Sequence, residues 1–104
     1  MRIRDPALLR LLHFEYDECV LCGRTQLLHL HHVVLRSQGG DDVRANILAL
    51  CNECHSGYHT HRSDGFGARL AVYVQGYRPD TYAYLVEKLG IGGAEAWFHA
   101  HAAG

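Results

Sequence analysis

Cys51-Asn52-Glu53-Cys54-His55-Ser56-Gly57-Tyr58-His59 is the stretch whose reading decides the fold. It holds a Cys-x2-Cys pair and opens a predicted helix, entered through an Asn cap at Asn52 and running to about His61. A second pair, Cys19-Val20-Leu21-Cys22, lies upstream, with 28 residues between the two. A two-residue gap lets both sulfurs of a pair converge on one tetrahedral ion, and two pairs complete a closed site. Cys19, Cys22, Cys51 and Cys54 are therefore read as a structural zinc site. The alternatives are two disulfides, disfavoured in a reducing cell, or free buried thiols. The spacer exceeds the usual range of zinc ribbons, so something folded is expected inside it.

Around this quartet the composition is that of an ordinary globular domain. The chain has 104 residues, 48% hydrophobic and 20% charged, which excludes a disordered chain, a collagen and a highly charged tail. No apolar run approaches the roughly 20 residues of a membrane helix. Met1-Arg2-Ile3-Arg4-Asp5-Pro6 is not a signal-type apolar block, so a cytoplasmic location is expected. The net charge of −1 announces no nucleic-acid partner. Arginine supplies all the cations but Lys88, and its planar fork suits phosphate, although GC-biased coding gives the same excess. Five of the nine histidines fall between His29 and His59. A small core with few large apolar residues makes a metal staple physically reasonable.

No internal repeat, low-complexity tract or boundary divides the chain, which is read as one α+β domain over 1–104. A first helix is predicted from Pro6, capped by Asp5, with Leu8, Leu11 and Leu12 on one face. Leu28 to Leu35 reads as a strand interrupted by histidines, and Ile47 to Leu50 as a second. Ser37 to Asp42 is a loop on its glycines. Past Gly67 the chain turns helical, with one helix capped by Asp80 or Thr81 and ending at Gly90. Gly92-Gly93 is expected to break it before a last helix over Ala94 to Ala100.

Between and beyond the cysteine pairs the chain reads His31-His32-Val33-Val34, Gly39-Gly40-Asp41-Asp42, Asn46-Ile47-Leu48, then Cys54-His55 and His59. On a helix, His55 and His59 share a face, as two ligands of one ion require. This pattern resembles the HNH endonuclease family, in the branch with a four-cysteine zinc knuckle around a ββα-metal core. The likeness runs from Cys19 through His59, under half of the chain. It implies a core over 19–61 with helical flanks at 1–18 and 66–104. It also implies that His32 is the general base and that Asn46 holds the loop across the hairpin and so orients the base. By the same resemblance His31, His55 and His59 form a three-histidine metal set.

The chemistry is consistent with those roles. Phosphodiester cleavage needs an activated water, charge relief on phosphorane oxygens and a stabilised leaving group. An imidazole with a pKa near ~6.5 can take a proton from water at neutral pH. A divalent ion with open positions can hold the phosphate, and three protein ligands leave such positions. Imidazole ligands admit Mg, Mn, Ni, Co or Zn. Adjacent strand residues point to opposite faces, so His31 and His32 need a strand end or a bulge to serve one site.

Other residues keep two readings. His29 shares the face of His31 and reaches either the metal or solvent; His61 is a phosphate contact or a surface residue. Arg36, Arg44 and Arg62 are phosphate contacts that position DNA, or solvated cations. Asp41 and Asp42 are read as loop or capping residues. Tyr73, Tyr77, Tyr82 and Tyr84 with Arg69 and Arg78 are read as core packing before a nucleic-acid surface. His99 and His101 carry no assigned role. The resulting expectation is metal-dependent hydrolysis of DNA leaving 5′-phosphate and 3′-hydroxyl ends. Sequence preference should be weak, or a targeting or packaging protein should supply it, as for a phage or mobile-element nuclease. The alternative is a non-catalytic zinc module that binds nucleic acid or a partner.

Overall fold

The computed structural model describes residues 2–59 and 65–103. In chain order the elements are α1 (Pro6–Glu15), β1 (Leu28–His32), β2 (Ile47–Cys51), α2 (Asn52–His59), α3 (Phe66–Tyr77) and α4 (Pro79–Ala103). The class is α+β, with a two-stranded antiparallel sheet and four α-helices among the described residues. The chain separates into two compact units, 1–55 and 56–104, and the division falls inside α2.

In the first unit, Asp5 caps α1 by accepting from the Leu8 N–H at 3.0 Å, with Pro6 in the first turn. Leu12 is buried, while Leu11, expected beside it, is 48% exposed. Tyr16 ends the helix and donates its hydroxyl to the Ile47 carbonyl, tying α1 to the sheet. β1 and β2 pair in unbroken register from Leu28 opposite Cys51 to His32 opposite Ile47. Every residue of β2 is buried, whereas β1 keeps exposed and half-buried positions.

β1 stops at His32, three residues before the expected end. The strand-like bonding beyond it changes partner, because Asn46 takes over: the Val33 N–H donates to its carbonyl and the Val34 N–H to its side chain. The loop then turns through short 3₁₀ segments at Arg36–Gln38 and Arg44–Asn46. Gly40 permits that path, since a Cβ there would stand 1.7 Å from the Val34 carbonyl oxygen.

In the second unit, α3 packs against α4, burying Leu70, Ala71, Val74, Leu85 and Ala94. The break in α4 is at Gly90, with φ 79° and ψ 167°, and not at Gly92-Gly93, which stay helical. A left-handed φ is where the missing Cβ matters, so the first of the three glycines takes the turn. The tyrosines stand at the rim of this core: Tyr77 is 74% exposed and stacks on Tyr73. No helix among the described residues is long and apolar enough to cross a membrane.

Candidate metal centres and active site

Among the described residues, two clusters of metal-ligating side chains form around α2. In the first, the sulfurs of Cys19, Cys22, Cys51 and Cys54 all lie within 4.8 Å of one another. They are free thiols, three of them buried. A tetrahedral zinc with Zn–S of about 2.3 Å sets its sulfurs roughly 3.8 Å apart; the Cys22 and Cys51 sulfurs are 3.6 Å apart. The turn carrying the first pair is closed by bonds from Cys19 N–H to the Arg24 carbonyl and from Gly23 N–H to the Cys19 carbonyl. Val20 N–H donates to Ala49, joining that turn to β2. Burial works to raise the Cys51 thiol. The Cys54 N–H, 3.4 Å from its sulfur, and the neighbouring thiols outweigh it and bring the thiol down to about 7. Burial and the other three thiols push Cys54 up. Four sulfurs so placed are a donor set that a zinc ion fits.

The second cluster is imidazole. The ligand nitrogens of His31, His55 and His59 lie within 4.8 Å of one another. β1 supplies His31, which is 1% exposed, and successive turns of α2 supply the other two. The rings of His31 and His55 are 5.4 Å apart and near perpendicular. His29, two residues before His31, also turns to the helix, its Nδ1 standing 3.0 Å from Nδ1 of His55. Three imidazoles are a donor set for a borderline divalent ion, with positions left open.

His32 is bonded to the loop. The register is unbroken, so no bulge brings the adjacent rings together; His32 is the strand's last residue and its Nε2 stands 2.8 Å from Oδ1 of Asp42. Asp42 is 1% exposed. Its Oδ2 accepts the Asp5 N–H at 2.9 Å, and Arg4 and Arg36 stand 3.4 and 3.6 Å from its oxygens. Burial alone would raise this carboxyl, but the Asp5 N–H, His32 and Arg36 hold it below the usual range. Asp41 is tied in the same way, accepting the Ile3 N–H at 2.7 Å.

Asn46 is fully buried between the two arms of the hairpin. Its Oδ1 accepts the Val34 N–H, and its Nδ2 donates to the carbonyls of Val34 and Asp41. Of the candidate phosphate contacts, Arg36 is exposed and leans on Asp42, while Arg44 is held by Glu15 at 2.6 Å. Arg62 and His61 lie outside the described residues. The feature missed in the sequence is the bond from His32 to Asp42, together with the docking of residues 2–5 that encloses it. Asp42 lies ten residues from His32, and only the loop path brings them together.

Residues 19–61 match the family model of HNH endonucleases. The two-stranded sheet and the following helix over that segment are consistent with an HNH domain, and the four cysteines are placed as a zinc-knuckle variant would have them. The matched segment is under half of the chain. No curated protein and no solved structure matches the chain.

Proposed function

We propose that this protein is an endonuclease that hydrolyses DNA phosphodiester bonds with one divalent ion and a histidine base. The observation that carries the reading is the convergence of three imidazoles, from β1 and two turns of α2, within 4.8 Å inside the HNH segment. His31, His55 and His59 would hold the ion, which when bound supplies charge relief at the scissile phosphate and leaving oxygen.

The chain's own residues do the rest. His32 takes the proton from the attacking water. Asn46 keeps the residues after β1 in place through its three bonds, so the base cannot swing with the loop. Arg36, exposed at the loop, contacts phosphate without reading bases. With few such arginines, binding is modest and falls with salt, and any strong target choice comes from a partner protein. The four-cysteine site holds structural zinc and leaves no open position for chemistry.

A plasmid-nicking assay with Mg, Mn, Ni, Co and Zn tests the reading. Relaxed plasmid with 5′-phosphate ends is the expected product. No cleavage with any metal, on double- or single-stranded DNA, would leave a zinc-stabilised binding module as the function.

A further inference from the structure

The proposed base carries two nitrogens, and only one of them can take a proton from water. Three observations decide which. Nε2 of His32 is 2.8 Å from Oδ1 of Asp42. Asp42 is nearly sealed from solvent, at 1% exposure, while the His32 side chain keeps 11%. The carboxylate is held on its other side by the Asp5 N–H, with Arg4 and Arg36 close by, and the Asp42 N–H donates in turn to the Ile3 carbonyl. An ionised carboxylate only accepts, so the bond requires the hydrogen on Nε2. A neutral imidazole with hydrogen on Nε2 has its lone pair on Nδ1.

We propose that Asp42 is a positioning residue for His32, fixing it as the Nε2–H tautomer so that Nδ1 is the nitrogen that accepts the proton. This rests on the nuclease reading above and deepens it. The arrangement places part of the base's support outside the HNH segment. Residues 3 to 5 complete the shell around Asp42, and Arg4 also reaches the Gly40 carbonyl at 2.8 Å. Without that arm the carboxylate would lose the Asp5 N–H and face water, where its hold on one imidazole nitrogen weakens.

The bond has the same logic as a carboxylate behind any histidine base: it sets the tautomer and ring orientation and does not itself take the proton. Asn in its place keeps the shape but can donate its own N–H to Nε2, which moves the imidazole hydrogen to Nδ1 and blocks the base. Ala removes the partner altogether and leaves the Asp5 N–H bare. A residue that only braces the loop should therefore tolerate Asn better than Ala.

The experiment has two arms on the full zinc-loaded chain. Imidazole nitrogen NMR, with His32 assigned by its loss in His32→Ala, is recorded across a pH series, and the tautomer is read where the signals no longer change with pH. The expected spectrum is Nε2–H with an unprotonated Nδ1 in the parent, shifting toward Nδ1–H in Asp42→Asn. In the second arm, Asp42→Asn should lose kcat by a factor on the order of 10²–10⁴ at nearly unchanged KM, as expected for a wrongly protonated base. Its zinc content and folded circular-dichroism spectrum should stay near the parent's. An Nδ1–H tautomer in the parent overturns the proposal whether or not the protein cleaves DNA, and does not depend on any variant folding. Parent-like cleavage by folded Asp42→Asn also overturns it while leaving the nuclease reading intact.

Discussion

The side-chain amide of Asn46 closes both backbone polar groups of Val34, accepting its N–H at 2.7 Å and donating to its carbonyl at 3.1 Å. Val34 is buried, so nothing else replaces those partners cheaply. Asn46→Ala leaves at least one buried backbone group unsatisfied and should cost about 2–3 kcal/mol. Urea unfolding of parent and variant measures it; an unchanged midpoint would mean that water satisfies the site.

Zinc at the cysteine quartet should be stoichiometric and needed for the fold, because the binding free energy of such a site is folding free energy. Cys22→Ser or Cys54→Ser should give little folded protein and reduced helicity by circular dichroism. Native-like melting of zinc-free parent would exclude the structural role.

Loss of His59 tests the second metal site separately. It is exposed at the end of α2, four residues from His55 on the same helix. His59→Ala should weaken binding of a divalent ion, read by calorimetry on zinc-loaded protein, with the structural zinc and the melting temperature retained. Parent-like affinity would remove His59 from the ligand set and bring His29, already 3.0 Å from His55, into consideration.

His32→Ala should lose cleavage by a factor of about 10²–10⁴, the usual worth of a positioned base. Affinity for DNA and divalent-ion content should hold, since the proposed ligands are His31, His55 and His59. Metal loss in this variant, with cleavage surviving in His31→Ala, would exchange the two roles.

Acid should find Asp42. Its carboxyl is held below the ordinary value of 3.8, so its contribution to stability is fully present above that value and is lost as pH falls through the lower folded value. Thermal melting followed from neutral pH down through the carboxylate range should therefore show a steeper fall in the parent than in Asp42→Asn. Parallel curves would mean that folding does not lower this carboxyl.

The cysteine spacing, the His-His dipeptide and the Cys-His-x3-His ending were enough to name the members of the two clusters. Each Cys-x2-Cys pair and the His55/His59 pair depends on short-range geometry, whereas joining the two cysteine pairs, and His31 to the helix, takes the pairing of β1 with β2. A Cys-x2-Cys turn and two histidines four apart on a helix converge whatever surrounds them. The caps and strand cores were legible for the same reason: Asp5 with Pro6, and the apolar run of β2, act through neighbours in sequence. The second helical unit was legible as helix, and its first helix ends at Gly90 as expected, but Gly92-Gly93 stay helical because the single left-handed turn is already taken at Gly90.

What the sequence determined by itself is thus the class: an α+β segment that matches the HNH family model, with four cysteines placed to hold one metal ion and a helical remainder. What tertiary structure decided is where His32 points. Strand alternation alone set it against His31, and no local pattern names its partner. Asp42 becomes that partner because Gly40 lets the loop pass against Val34, Asn46 pins the far side, and Ile3 to Asp5 close over the carboxylate. Each of those contacts joins residues that are far apart in the chain or held by backbone groups common to every residue. A buried carboxylate costs free energy unless several donors surround it, and only the folded chain assembles those donors in one place.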